Sequence, residues 1–132
     1  MYNENMLIGI LLSISKMKLI LQKREESSIG YEVRLNLVIR GQEDFLKGVQ
    51  RDLLMYYNIK TNLRLKESKT RPRPILVIGK IKQLQRLVEL VPNLPSANGE
   101  WPTFKECVEI VANKKHLRLE GLERIMQIKG VL

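Results

Sequence analysis

Hydrophobic and polar positions alternate in distinct ways along this chain. MLIGILLSIS, Met6 to Ser15, is apolar except for Gly9 and two serines, and it ends abruptly at Lys16. It is far shorter than the roughly 18–20 residues a bilayer span needs. MYNEN before it carries Glu4 and no basic side chain, and no small-residue cleavage site follows, so it is a poor signal peptide. The run predicts a buried helix, with Glu4 or Asn5 capping its start. Gly9 and Ser13 lie four apart on one helical face, where small side chains let another backbone come close.

From Lys16 the period changes to two. KMKLILQKR (16–24) sets Lys16, Lys18, Ile20, Gln22 and Arg24 on one side and Met17, Leu19, Leu21 and Lys23 on the other. EESSIG predicts a turn ending at Gly30. YEVRLNLVIR (31–40) turns Tyr31, Val33, Leu35, Leu37 and Ile39 inward and Glu32, Arg34, Asn36 and Arg40 outward, with Val38 among them. Two such runs around a short turn read as a hairpin. Residues 43–57 follow a helical period, with Phe45, Val49, Leu53 and Leu54 or Tyr56 on the apolar stripe and Glu43 and Asp44 in the first turn.

A second hairpin is predicted next. Ile59, Thr61, Leu63 and Leu65 form one face, and Lys60, Asn62, Arg64 and Lys66 the other. ESKTRP turns the chain, and residues 73–78 return, with Pro72 and Pro74 pointing to an edge or a free N–H side. A helix over 80–90 ends at Pro92, and 92–101 is a loop rich in Pro, Gly and Asn. Pro102 suits the first turn of a helix that buries Phe104, Val108 and Val111. A last short helix, 120–130, carries Leu122, Ile125 and Met126. The order αββαββα plus two short C-terminal helices predicts a single α+β domain over 1–132, an antiparallel four-stranded sheet with helices on one face.

Charge gives the sheet a role. The 132 residues hold 23 basic and 14 acidic side chains, net +9, and residues 16–82 carry 16 of the basic and 7 of the acidic groups. The outward positions collect Lys16, Lys18, Gln22, Arg24, Arg34, Asn36, Arg40, Lys60, Asn62, Arg64 and Lys66, and the second turn adds Lys69, Arg71 and Arg73. Strands lie just under 5 Å apart, so these groups form one surface suited to phosphates and base edges. Solvation alone explains a polar face but not a one-sided sign. The residues leave RNA and double-stranded DNA both open, and the lack of aromatics on the outward parity disfavours a stacking platform for single strands. One cysteine, Cys107, excludes an internal disulfide, and a single histidine, His116, argues against a His/Cys metal cluster. Trp101 reads as a lid over the C-terminal helices, His116 as a surface or capping residue, and Cys107 as a small packed side chain.

The arrangement resembles the LAGLIDADG homing endonuclease and maturase family in single-unit form. LIGILLSIS (7–15) stands in place of the nine-residue signature. GYEVRLNLVIR, IGKIKQLQRLVELVP and the tail WPTFKECVEIVANKKHLRLEGLERIMQIK resemble later segments of such units. The resemblance implies an αββαββα unit whose signature helix packs against a second unit while the sheet covers DNA. It also implies acids at the sixth and eighth signature positions, the eighth binding metal. Here those positions are Leu12 and Ile14, and the final glycine is Ser15.

Neither Leu nor Ile ligates a hard cation. The resulting expectation is a catalytically inactive relative with no catalytic residues, no metal ligands and no cofactor. It would bind structured RNA within or beside an organellar ribonucleoprotein, a mitochondrial ribosome or an intron, with no membrane association. The alternative is a DNA endonuclease subunit that cleaves or nicks double-stranded DNA with a catalytically competent partner. A purely structural protein with an incidental basic face is a third expectation. The helix face of Gly9 and Ser13 is expected to hold a second copy or another protein. The composition and the family's habits suggest a mitochondrion or other organelle. No transit peptide is visible, which fits an organelle-encoded or trimmed chain.

Overall fold

The computed structural model describes residues 4–26, 29–90 and 101–131. Helix α1 (Glu4–Ile14) runs through a single residue, Ser15, into strand β1 (Lys16–Lys23). Strand β2 (Tyr31–Arg40), helix α2 (Glu43–Tyr57), strands β3 (Asn62–Arg64) and β4 (Ile75–Ile78) and helices α3 (Ile81–Leu90), α4 (Trp101–Ala112) and α5 (Leu119–Lys129) follow, with a 3₁₀ turn at Lys115–Leu117. The fold is α+β, with one antiparallel sheet in the order β1-β2-β4-β3. Among the described residues, no helix is long and apolar enough to cross a membrane. The loop expected at 92–101 lies outside the described residues except for Trp101, as do Ser27 and Ser28 of the first turn.

The β1–β2 hairpin keeps the register that the alternation demands, Lys16 opposite Val38 and Gln22 opposite Glu32. A one-residue slip would carry every apolar side chain to the solvent face, so the pattern fixes the pairing. Gly30 closes the turn at φ +82°, a conformation that costs glycine little.

The inward parity, Leu35, Leu37, Ile39, Leu76 and Ile78, packs under the helices in one apolar cluster. Leu7 and Leu11, one turn apart on α1, are buried in it, at about 1.5–3 kcal/mol each. Glu4 and Asn5 lie inside the first turn of α1 rather than at its cap. At the other end the buried Ser15 hydroxyl donates to the Leu11 carbonyl, taking up one of the acceptors that the helix end leaves open.

Three expectations change. The apolar stripe of α2 is Leu46, Val49 and Leu53, with Asp52 buried beside them, whereas Phe45 is half-buried and Leu54 and Tyr56 are exposed. Helix α2 ends at Asn58 in the left-handed region (φ 54°), with Ile59 N–H donating to Leu53 O.

The second hairpin is also shorter than the alternation suggests. Lys60 and Lys66 fall outside β3, so they are not part of the strand ladder, and Leu65 is exposed. The Lys60 N–H is taken by Gln83 Oε1 at 2.7 Å instead. Finally, β4 is an interior strand and β3 the edge. Pro72 and Pro74 precede β4 and so remove no ladder hydrogen bond.

The C-terminal helices close the structure as expected. Trp101 is fully buried, its ring centroid 6.2 Å from that of Phe104. Glu106 of α4 and Arg124 of α5 form a two-pronged pair, Nε to Oε2 at 2.5 Å and Nη2 to Oε1 at 3.0 Å. Lys129 Nζ donates to Leu19 O at 2.5 Å, taking a carbonyl on the outer edge of β1.

Candidate nucleic-acid interface

The solvent face of the sheet follows from the register. Lys16, Lys18, Ile20 and Gln22 of β1 stand beside Val38, Asn36, Arg34 and Glu32 of β2. Val77 and Ile75 of β4 then stand opposite Val38 and Arg40, and Asn62 and Arg64 of β3 opposite Val77 and Ile75. Lys16, Lys18, Gln22, Arg34, Asn62 and Arg64 are exposed, and Arg24, Asn36 and Arg40 are half-buried. Asn36 packs toward Gly79, where a Cβ would lie 2.7 Å from its Oδ1. The structure therefore brings these nine predicted residues onto one face. Lys66, Lys69, Arg71 and Arg73 are exposed on the connection between β3 and β4, and Lys60 is exposed on the approach to β3.

Two features of this face escaped the alternation. One is burial: Val38, which the alternation turns outward, and Ile75 lie on the outer side yet are both only 3% exposed. The other is acidic. Glu67, which the sequence places in an ordinary turn, sits among cations. Arg40 gives it Nε to Oε1 at 2.6 Å and Nη2 to Oε2 at 3.2 Å, and Arg71 Nη1 lies 3.8 Å from Oε2. The hydrogen bond from Arg40, with further attraction from Lys18 and Arg71, holds the Glu67 carboxyl below its ordinary 4.5.

The β3–β4 connection is tied around this pair. Glu67 N–H donates to Arg73 O, and Arg71 N–H to Ser68 Oγ. No local signal marks Glu67, because its partner Arg40 is 27 residues away. At the far end of the hairpin Glu32 lies between two arginines. Arg34 Nε donates to Oε1 at 2.8 Å, and Arg24 Nε stands 2.6 Å from Oε2.

The end of α1 is the second place of interest. Leu12 is half-buried, Ile14 is 44% exposed and Ser15 is buried, its hydroxyl spent on Leu11. Leu12 and Ile14 offer no oxygen to a hard divalent cation, which takes oxygen ligands. Among the described residues no group of three or more His, Cys, Asp or Glu is placed to hold a metal ion. On the other side of α1, Met6 (49% exposed), Gly9 and Ser13 face outward. A Cβ on Gly9 would meet nothing within 4 Å, and Ser13 Oγ donates to Gly9 O at 2.5 Å.

Other candidates are accounted for structurally. Burial pushes the Cys107 thiol up to about 11. Burial also holds the His116 imidazole below its ordinary 6.5, opposed by a hydrogen bond to the Ile110 backbone.

No protein-family model matches this sequence, and no curated protein matches it. Solved structures do. The homing endonuclease I-TnaI aligns with a TM-score of 0.77 and 19% identity over 96% of this chain and 85% of its own. The LAGLIDADG meganuclease I-CpaMI, bound to uncleaved DNA, aligns at 0.80 and 20% identity over 100% of this chain and 46% of its own. The LAGLIDADG homing endonuclease I-SmaMI, bound to cleaved DNA, aligns at 0.77 and 20% identity over 97% and 43%. The chain thus has the LAGLIDADG homing endonuclease fold and spans less than half the length of the latter two proteins.

These neighbours correct one expectation. The expectation of inactivity rests on Leu12 and Ile14, yet solved structures that share the fold are homing endonucleases, one of them bound to cleaved DNA. Catalysis of phosphodiester displacement needs oxygen ligands that converge on the phosphate, and they need not all come from one chain. An acid-free helix end in this chain therefore does not establish a non-enzyme. Nor do the neighbours, whose bound ligand is DNA, support RNA binding or a ribonucleoprotein.

Proposed function

We propose that this chain is a subunit of a LAGLIDADG-type DNA endonuclease, which binds double-stranded DNA through the outer sheet face and cuts or nicks it together with a partner unit. The observation that carries the reading is the convergence of Lys16, Lys18, Arg24, Arg34 and Arg64 on one face of a fold whose neighbours hold DNA. Neutralising several phosphates releases counterions and gives affinity without sequence information. The outward groups of the β1–β2 ribbon then reach base edges in the major groove, which is wide enough for a two-stranded ribbon.

The partner sits on α1. Gly9 and Ser13 leave a small-residue face exposed, and among the described residues nothing lies within 4 Å of a Cβ built on Gly9, which suits a close helix crossing. A second copy would bring two acid-free ends together. A different unit that carries carboxylates would supply the oxygen ligands that Leu12 and Ile14 lack, and this second arrangement is the one that performs cleavage.

The test is retention of a randomised duplex DNA pool against a pool of structured RNA hairpins at moderate salt. Duplex DNA is expected to be retained, with Lys16→Ala and Arg64→Ala each lowering the salt slope by about one unit. Retention of RNA alone would reject the DNA reading. Cleavage is then assayed with Mg²⁺ or Mn²⁺ on the enriched duplexes, for the chain alone and with the unit that co-purifies with it. Cutting only by the pair is expected.

A further inference from the structure

The acids on the basic face divide its arginines into two kinds. Arg40 spends both Nε and Nη2 on Glu67, so its donor fork is consumed within the protein. Arg34 spends only Nε, on Glu32 Oε1 at 2.8 Å, and is 56% exposed. Among the described residues nothing engages its Nη1 and Nη2 groups. We propose that Arg34, braced by Glu32, is a specificity residue that reads a guanine in the major groove of duplex DNA. The inference rests on the DNA-binding reading above.

Three observations favour a base over a phosphate as the ligand of Arg34. First, a guanidinium bound through Nε keeps its Nη pair parallel and pointing away, the fork that meets guanine O6 and N7. The brace removes rotamer freedom before binding, so less is lost on contact. Second, the carboxylate beside it repels phosphate. Glu32, held ionised mainly by its hydrogen bond from Arg34, cancels part of the charge that would draw a backbone oxygen there. Third, the residue directly opposite on β1 is Ile20, partly exposed and apolar, with Asn36 next along the outer face of β2. An apolar side chain suits a base edge such as a thymine methyl and gives a phosphate nothing. A-form RNA has a major groove too narrow for such contacts, so the geometry points to B-form DNA.

Selection from a duplex pool with a randomised stretch tests this, with per-position base frequencies as the readout. The wild type is expected to enrich guanine at one position by roughly ten- to hundredfold over the other bases. Arg34→Ala should erase that preference and leave the other positions unchanged. Arg34→Lys should erase it too while keeping the charge, because a lysine ammonium lacks the planar fork. Glu32→Gln should weaken the preference without lowering affinity for the pool. Arg64→Ala should lower affinity for all sequences alike. Far-UV circular dichroism and thermal melting establish that each variant is folded.

Duplex binding with no base preference, or with a guanine preference that survives Arg34→Ala and Arg34→Lys, overturns the inference and leaves DNA binding standing. No retention of duplex DNA by the wild type overturns both.

Discussion

Single residues carry constraints that the chain states locally and others that it does not. Gly121 is an example of the second kind. A Cβ there would lie 2.0 Å from the Lys115 carbonyl oxygen and 2.6 Å from its carbon, both backbone atoms that cannot swing aside. Gly121→Ala is expected to destabilise the fold by about 2–3 kcal/mol, seen as a lower midpoint in urea unfolding. An unchanged midpoint would mean that the 3₁₀ turn yields freely. Cys107 is legible in both ways. Its place in an apolar helical stripe predicts packing, and burial raises its thiol to about 11. At pH 8 the thiolate is scarce and shielded, so a thiol reagent should label it at least tenfold faster in denaturant than in the native protein. Equal rates would contradict the burial. Glu32 and Glu67 show the limit of reading residues one at a time. Parity turns Glu32 outward, but nothing in the sequence says that Arg34 Nε points at it or that Glu67 closes on Arg40.

At the scale of elements, strict alternation was the reliable signal. It placed β1 and β2 to within a residue, because one-sided burial admits a single register. It overran at β3, where alternation continues from Ile59 to Lys66 but pairing covers only Asn62–Arg64. The cause is tertiary: the Lys60 N–H is claimed by α3, and the chain beyond Arg64 bends to bring Glu67 to Arg40. Helix α1 poses the opposite case, since its length, its burial and its small-residue face were all legible, and the structure adds only the room beside Gly9. With nothing among the described residues near the Gly9 Cβ, Gly9→Ile should leave the melting temperature of the isolated chain unchanged or raise it by a few degrees, since isoleucine is the better helix former. It should nonetheless abolish association through α1, as read by sedimentation velocity. Loss of folding would place Gly9 inside this chain's own core, and persistent association would move the partner elsewhere.

At the scale of the molecule, ion pairs knit separate segments and set a pH dependence. Glu67 ties the β3–β4 connection to β2, and Glu106 ties α4 to α5. Both carboxyls are held below their ordinary 4.5, first by the hydrogen bond from the facing arginine. A depressed carboxyl contributes stability above its unfolded value, and that contribution is lost as pH falls through the folded one. Unfolding free energy should therefore fall as pH drops below about 4.5, beyond the shallower fall that begins near 6.5 from His116, whose buried imidazole resists protonation, and the fall below 4.5 should be smaller in Glu67→Gln. A variant with the wild-type acid profile would show that the Arg40 pair is inert.

The sequence by itself determined the order of elements, the two faces of the sheet and the sign of the outer one. These depend on period, burial and charge, all of which are local. The tertiary structure decided which strand is interior and that Arg40 spends its donor fork on Glu67. Both depend on groups far apart in the chain, such as Arg40 and Glu67 at 27 residues, and only folding brings their atoms within hydrogen-bonding distance.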